Sequence, residues 1–402
     1  MATKTRQPVI PITEIEHAAF CRPKDELPAR SLAEEMAVNV RWQRIPDRYL
    51  HLSAAELDKS IHLAREKLGT SLTILGHHYQ REEVIKYADF QGDSFLLSQE
   101  AASLPEAKYI VFCGVHFMAE TACILCAPHQ RVVLPNIAAG CSMADMAPME
   151  DVEDAWEDLE EVLGAYGGIV PVTYMNSIAG IKALCGRNGG AVCTSSNATA
   201  VLKWGFEQAD RLLFLPDQHL GRNTGLKLGI PLDEMVVWDP FKRLGGNTAE
   251  QLRRAKLVLW KGHCSVHTRF TVKQINVARE RYPDVNVLVH PECTMETVQA
   301  ADLVGSTEYI RKMINDAPPG SKWAVGTEIS LVNRLALQHP DKVIFCLDPV
   351  SCPCSTMYRI HPAYLLWVLE GLLEGQVINP ISVPDGIRKD ALTALNRMLA
   401  LK

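Results

Sequence analysis

The sequence predicts an α/β protein whose short parallel sheets are covered by helices on both faces. From residue 71 onward, short β-branched runs alternate with amphipathic helical segments. Most of these runs are continuously apolar, which is typical of parallel strands that are buried on both sides. In addition, one order of motifs occurs three times along the chain, which indicates three similar units.

Composition and charge narrow the class of protein further. The 402 residues predict about two to three domains, and 47% hydrophobic with 22% charged residues exclude wholesale disorder. The net charge of −6 argues against a nucleic-acid partner. No apolar run reaches the roughly 18 residues of a membrane-spanning helix, and the first residues lack the apolar region of a signal peptide. We therefore expect a cytoplasmic protein without a membrane partner.

The elements follow in order along the chain. Helices are predicted near 31–40 and at 53–67, where Ser53 and Glu56 have the spacing of a capping box. The acidic stretch 149–162 predicts a solvated helix with one buried stripe and marks a candidate domain junction. Strands are predicted at 72–76, 109–114, 131–134, 168–173, 190–194, 211–215, 235–238, 256–260, 285–289, 302–305, 323–326 and 342–347.

The repeated motif order places polar residues at strand ends. Each unit opens with a strand that ends in a polar cluster, and each closes with a strand that runs into a cysteine-bearing loop. The clusters are 76–80, 173–177 and 290–292, and the loops are 139–141, 262–264 and 348–354. Between them, small polar turns open a helix, at 92–94, 193–197 and 305–308. Because ligands of α/β sheets bind beyond the carboxyl ends of the strands, three facing units would share one centre.

The twelve cysteines are numerous for a chain without an export signal. A reducing cytosol argues against a disulfide framework, and most of the thiols should pack in the core. Cys123-x-x-Cys126 lies in a helix that ends before Pro128, which favours packing. The three loop cysteines are far apart in the chain, unlike the close pairs of structural zinc. Three distant thiolates suit a [4Fe–4S] cluster with one iron open to substrate, which indicates dehydration chemistry. In the last loop, Cys352 and Cys354 both remain candidates.

The strand-end residues offer binding and acid–base groups. Ser94, Ser195 and Thr307 lie at strand-to-helix turns, where they either cap a helix or help to bind an anion. Three such positions together favour a substrate with several carboxylates or a phosphate. The other candidates for binding and general acid–base roles are His77, Tyr79, His290 and Glu292. No glycine-rich nucleotide-binding motif is present.

In this order, the motifs resemble those of the quinolinate synthase family, iron–sulfur enzymes of de novo NAD biosynthesis. The resemblance extends from about residue 72 to residue 370. The matching stretches are His77–Gln80, Gly92–Ser94, Ala139–Asp145, Tyr174–Ser177, Cys193–Ala198, Gly262–His267, Val289–Glu292, Val304–Thr307 and Cys354–Met357.

The resemblance implies three αβα sandwich domains, related by pseudo-threefold symmetry, with the active site at their junction. We expect an N-terminal extension at 1–65 and domains at 66–150, 151–270 and 271–402, the last with the C-terminal helices. The resemblance also implies a [4Fe–4S] cluster on Cys141, Cys264 and Cys354. The third ligand of the family falls in a C-x-x-M pattern, which favours Cys354 over Cys352.

The reaction that the resemblance implies is condensation of iminosuccinate with dihydroxyacetone phosphate to quinolinate, phosphate and water, with the open iron as Lewis acid. An aspartate oxidase or dehydrogenase would supply the iminosuccinate. Tyr79 and Glu292 are the implied acid–base groups. The implied substrate-binding residues are His77, Ser94, Tyr174, Asn176, Ser195, His290, Glu292 and Thr307.

Two other functions remain open from the sequence. One is a different iron–sulfur hydro-lyase that acts on a small carboxylate and does not consume dihydroxyacetone phosphate. The other is a non-enzymatic iron–sulfur or thiol redox sensor. A sensor would normally carry a DNA-binding module or a basic face, and the acidic composition argues against it.

Overall fold

A computed structural model of the chain describes residues 9–22, 30–104, 106–164 and 168–401. Within these ranges, thirteen strands form three separate sheets, and every pair of neighbouring strands is parallel. The predicted α/β class is therefore confirmed. The expectations about residues 1–8 lie outside the described residues.

The strands begin and end close to their predicted positions, with one addition. Twelve of the thirteen were predicted; the second, Phe90–Gly92, was missed. The strands are β1 Leu72–His77, β2 Phe90–Gly92, β3 Tyr109–Cys113, β4 Arg131–Val133, β5 Ile169–Tyr174, β6 Ala191–Cys193, β7 Arg211–Leu215, β8 Met235–Trp238, β9 Leu257–Trp260, β10 Asn286–Val289, β11 Leu303–Val304, β12 Lys322–Gly326 and β13 Val343–Cys346.

The three sheets repeat one strand order, as the motif repeat predicted. The first sheet runs β2-β1-β3-β4 and the third runs β11-β10-β12-β13. The second runs β6-β5-β7-β9-β8, which is the same order with β8 added at the edge. In each sheet, the strand that leads into the polar cluster lies between two other strands. These neighbours hold its carboxyl end on both sides. This arrangement fixes the residues that follow β1, β5 and β10.

Helices connect the strands and cover the sheets. They are α1 Ile12–Ile15, α2 Leu32–Glu35, α3 Ala54–Leu68, α4 Glu82–Ile85, α5 Ser94–Ala102, α6 His116–Leu125, α7 Ser142–Asp145, α8 Met149–Leu163, α9 Ala179–Arg187, α10 Ala198–Gln208, α11 Gln218–Lys227, α12 Ala249–Arg254, α13 Val272–Arg281, α14 Met295–Ala300, α15 Thr307–Asp316, α16 Ile329–Gln338, α17 Ser355–Tyr358, α18 Pro362–Leu373 and α19 Asp385–Ala400.

Two predicted helices match and one is much shorter than expected. The capping box of Ser53 and Glu56 opens α3, and α8 buries one stripe while its acidic face is exposed. The helix expected near 31–40 is only the single turn α2. Weak helix formers follow it at 38–40, Val-Asn-Val, which explains the early end. No helix in the described ranges has the length and apolarity to cross a membrane.

Because α9 packs closely against α19, we predict that one added methyl group between them lowers the stability of the fold. A Cβ at Gly186 would lie 1.9 Å from the backbone oxygen of Asp390. Gly186→Ala should therefore push the two helices apart and lower the free energy of unfolding by about 1–3 kcal/mol. Gly386→Ala is the matched control on α19, because no atom lies within 4 Å of its Cβ position. Equal urea midpoints for the two variants would contradict this packing.

Candidate active site

Candidate residues that follow strands of all three sheets line one cavity. All twelve site residues that the family resemblance implied contribute to its wall: His77, Tyr79, Ser94, Cys141, Tyr174, Asn176, Ser195, Cys264, His290, Glu292, Thr307 and Cys354. His77 and Tyr174 end β1 and β5, and His290 directly follows β10. The strand-end argument therefore predicted the location of these side chains correctly, while their chemical roles stay predictions.

The helix-capping alternative for the three hydroxyl residues does not fit the structure. Ser94 is the first residue of α5, and the carboxylate of Asp93 caps this helix by accepting from two backbone N–H groups at 3.0 Å. Thr307 is the first residue of α15, whose cap is Ser306. Ser195 precedes α10 by three residues. Other residues, Asp93, Ser306 and Asn197, occupy the N-cap positions of these helices, and the three hydroxyl residues line the cavity instead.

Asp93 also links two of these turns. Its second carboxylate oxygen accepts a hydrogen bond from the Ser196 hydroxyl at 2.8 Å. The turn that carries Ser94 is thereby tied to the turn that carries Ser195. Because Asp93 is 5% exposed, this bond is screened little by solvent. The two turns consequently have a fixed spacing across the boundary between the first and second sheets.

Glu292 is a buried carboxylate held by groups from the second sheet and from the Cys264 loop. The Tyr174 hydroxyl donates to Glu292 Oε1 at 2.5 Å, and His267 Nδ1 lies 2.7 Å from Oε2. Burial alone would raise the pKa of Glu292, but the adjacent His267 and the hydrogen bonds from His267 and Tyr174 hold it below its usual value. The carboxylate is therefore ionised at neutral pH.

His77 and His290 share one hydrogen-bonding arrangement. The Nδ1 atom of each accepts from the backbone N–H two residues later, at 3.1 Å from Tyr79 and 3.4 Å from Glu292. Burial lowers the pKa of both imidazoles to about 3, so both are neutral near pH 7. A neutral imidazole that accepts at Nδ1 carries its proton on Nε2. Each ring can therefore donate one hydrogen bond to a ligand oxygen.

Tyr79 lies among hydroxyl groups of the third sheet. Its hydroxyl is 2.9 Å from Thr307 Oγ1 and 2.8 Å from Thr327 Oγ1. His267 Nε2 is 3.5 Å away. Burial raises the pKa of Tyr79 well above its usual value, so the phenol keeps its proton at neutral pH. The protonated hydroxyl of Tyr79 can therefore donate a hydrogen bond within this group.

The sequence analysis assigned no role to His267 or Thr327. His267 is 1% exposed and contacts Glu292, while Nδ1 lies 3.2 Å from Cys264 Sγ. The signal available in the sequence was the Cys-x-x-His spacing of Cys264 and His267, which places both on one short turn. Thr327 directly follows β12, so the strand-end argument would also have found it.

The structure separates the two cysteines that the sequence left open. Cys354 lines the cavity together with Cys141 and Cys264. Cys352 is joined to Cys21 by a disulfide, and the other ten cysteines are free. The sequence analysis expected no disulfide framework, and this one pair is the exception. It forms because a backbone bridge between Arg22 and Ser351 places the two cysteines next to each other.

The three cysteine thiols of the cavity are suited to bind a metal group as thiolates. Burial raises the pKa of the thiols of Cys141, Cys264 and Cys354, so all three are protonated unless a positive charge is close. A bound metal supplies this charge and displaces the protons. In addition, ligand-type atoms of Cys264, His267 and Glu292 lie within 4.8 Å of one another. Of these three residues, only Cys264 was predicted as a ligand.

Cys123 and Cys126 lie elsewhere. Cys126 follows α6 and is buried, and the partly buried Cys123 donates from Sγ to the backbone oxygen of Ile381 at 3.4 Å. Neither cysteine is among the residues that line the cavity. Their surroundings are consistent with the interpretation as packing residues.

The buried bond between Tyr174 and Glu292 predicts a loss of stability when the hydroxyl is removed. Tyr174→Phe leaves the buried Glu292 carboxylate with one hydrogen-bond donor fewer, which should cost about 1–3 kcal/mol of unfolding free energy. Tyr309→Phe, at an exposed position, controls for the loss of a phenol hydroxyl. Urea denaturation measures both variants. If Tyr174→Phe unfolds at the wild-type midpoint, the bond contributes nothing.

Comparisons with known proteins agree with the resemblance seen in the motifs. A family model described as NadA, quinolinate synthetase A protein, matches residues 59–400. A quinolinate synthase of Corynebacterium glutamicum is 58% identical over 361 residues, which are 90% of this chain and 91% of the relative. Those of Herpetosiphon aurantiacus and Bacillus anthracis are 55% and 54% identical and cover 91% and 88% of this chain, and 97% and 96% of the relatives. The chain therefore belongs to the quinolinate synthetase A family of enzymes.

Proposed function

We propose that the chain is a quinolinate synthase, which condenses iminosuccinate with dihydroxyacetone phosphate and releases quinolinate, phosphate and water. The observation that carries this proposal is the single cavity in which three thiols, two neutral histidines and an ionised glutamate come together. Family membership supports it independently. The junction of three αβα domains, divided near residues 65, 150 and 270, would form the site.

Cys141, Cys264 and Cys354 would hold a [4Fe–4S] cluster. Among the described residues, three cysteine thiols line the cavity, and Cys352 is bonded to Cys21. With three thiolate ligands, one iron of the cluster would keep an open coordination position. When bound, the cluster would supply a Lewis acid to a substrate hydroxyl during dehydration. The protein side chains would then bind the substrates and move the protons.

Neutral donors and helix ends would bind the substrate anions. The Nε2–H groups of His77 and His290 would donate to carboxylate or carbonyl oxygens. The turns of Ser94, Ser195 and Thr307 would add hydroxyls and backbone N–H groups at helix N-termini, where negative charge is favoured. Asn176 Oδ1 is buried and has no protein donor among the described residues. It would accept from an N–H group of the substrate.

Glu292 and Tyr79 would exchange protons with the substrates. Glu292 is ionised and can accept a proton from a carbon acid or an amine, while Tyr174 and His267 hold its carboxylate in place. Tyr79 retains its proton and can donate it to a leaving oxygen. Two groups with opposite protonation states at one pH suit a reaction that both condenses and dehydrates.

The setting of the reaction follows from its substrates. An aspartate oxidase or an aspartate dehydrogenase would supply iminosuccinate, and the cytoplasm would be the place of the reaction. The acidic net charge gives no support for a nucleic-acid partner.

Glu292→Gln tests the acid–base role. The amide keeps the shape of the side chain and cannot accept a proton, so quinolinate formation should fall by about 10²-fold or more, while bound iron stays at the wild-type level. Glu280→Gln, at an exposed position, is the control. A turnover near that of the wild type would remove Glu292 from the chemistry.

The two cysteines of the last loop test the cluster assignment. Cys354→Ala should abolish iron binding after anaerobic reconstitution, because it removes one of three cavity thiols. Cys352→Ala should retain iron, because its side chain does not line the cavity. Iron per chain decides between them. Retention in Cys354→Ala together with loss in Cys352→Ala would show that the third ligand is wrongly assigned.

A further inference from the structure

The N-terminal extension contains a segment that contacts all three cysteine-bearing loops. We call residues 11–22 the strap; it includes the helix α1. It lies outside the motifs that carry the resemblance, and the proposed reaction assigns it no task. The contacts are made by different strap residues, one after another along the chain.

The first contact is with the Cys141 loop. Thr13 donates from Oγ1 to the carboxylate of Asp145 at 2.6 Å. Asp145 ends α7, the helix that begins directly after Cys141. A hydrogen bond at this point restrains α7 and with it the position of the Cys141 side chain.

The second contact is with the Cys264 loop. The carboxylate of Glu14 accepts from the hydroxyl of Ser265, and its other oxygen lies 3.3 Å from His263 Nε2. These two residues flank Cys264 on both sides. Ser265 Oγ is also 2.8 Å from Ser142 Oγ, next to Cys141. Glu14 therefore restrains the Cys264 loop directly and the Cys141 loop through one further hydroxyl.

The third contact is with the Cys354 loop. Arg22 and Ser351 exchange two backbone hydrogen bonds of 2.8 Å, and Cys21 is bonded to Cys352. The buried Phe20 ring packs on Tyr358, with 4.9 Å between ring centroids. Tyr358 ends α17, the helix that begins directly after Cys354. The strap thus holds this loop from both sides of the cysteine.

The strap also forms one wall of a second cavity behind Cys141. This cavity of about 220 Å³ is lined by Ile12, Thr13 and Glu16 of the strap and by Cys141. Cys141 therefore borders the active-site cavity on one side and a strap-covered space on the other. Glu16 forms an ion pair with the fully buried Arg359, which anchors this part of the strap to the fold.

We propose that the strap positions the three cysteine loops for metal binding and covers the Cys141 side of the bound group, with Glu14 as the central positioning residue. The inference rests on the proposed function, because the group held there is the proposed cluster. It concerns retention of that group and not the chemistry of the substrates. Neither Glu14 nor Thr13 lines the active-site cavity.

The test is the rate at which the full-length, anaerobically reconstituted protein loses iron to an excess of a chelator. Glu14→Ala removes two charge-assisted hydrogen bonds, so iron should be released about tenfold faster than from the wild type. Glu14→Gln retains an acceptor oxygen for Ser265 and should restore most of the difference. Ile15→Ala, on the exposed side of the same helical turn, should release iron at the wild-type rate.

Thr13→Val is the second variant, since it removes one hydrogen bond to Asp145 and conserves the size of the side chain. It should accelerate iron loss less than Glu14→Ala does. Unchanged release from Glu14→Ala and Thr13→Val, with a wild type that binds iron, would overturn the strap proposal alone. A wild type that binds no iron would overturn the proposed function and the strap proposal with it. Equal acceleration in Ile15→Ala would indicate a general loosening of α1 and would also overturn the role of Glu14.

Discussion

The carboxyl ends of three parallel sheets open onto one cavity, and the position of each strand end determines where a site residue lies. Side chains that are hundreds of residues apart in the chain become neighbours only through this arrangement. The backbone must approach closely for the loops to fit. A Cβ at Gly262 would lie 2.3 Å from the carbonyl oxygen of Pro216. The turn that leads to Cys264 therefore requires glycine at this position.

The electrostatics of the cavity follow from its burial. Among the described residues that line it, none is lysine or arginine, although the proposed substrates are anions. Neutral imidazoles and helix N-termini can bind such groups at a lower desolvation cost than buried ammonium groups. The ionised carboxylate of Glu292 is stabilised by contacts with Tyr174 and His267. Its negative charge can consequently remain in the cavity, where we propose that it serves as a base.

The sequence predicted the sheets and the location of the site well, because both depend on local patterns. Apolar runs identify buried parallel strands, and polar residues at their ends identify the ligand edge. The strand Phe90–Gly92 was missed because its sequence, Phe-Gln-Gly, is not an apolar run, as expected where two of three residues are exposed at a sheet edge. His267 received no role because its contact with Glu292 joins residues that no local pattern connects.

The contacts of the N-terminal segment were not predicted from the sequence. Its contacts join Thr13 to Asp145, Glu14 to Ser265 and Cys21 to Cys352. Such long-range pairs leave no periodicity in the sequence. The preference for Cys354 over Cys352 came from the resemblance to the family, and the structure adds a physical reason. Of these two cysteines, only Cys354 lines the cavity, and Cys352 is bonded to Cys21 of the strap.

The proposed chemistry depends on a four-iron cluster that three cavity thiols hold with one open iron. The most direct measurement is the content of iron and acid-labile sulfide per chain in the anaerobically purified protein. The proposed cluster requires about four of each. Zinc in place of iron, or no metal after anaerobic reconstitution, would contradict it.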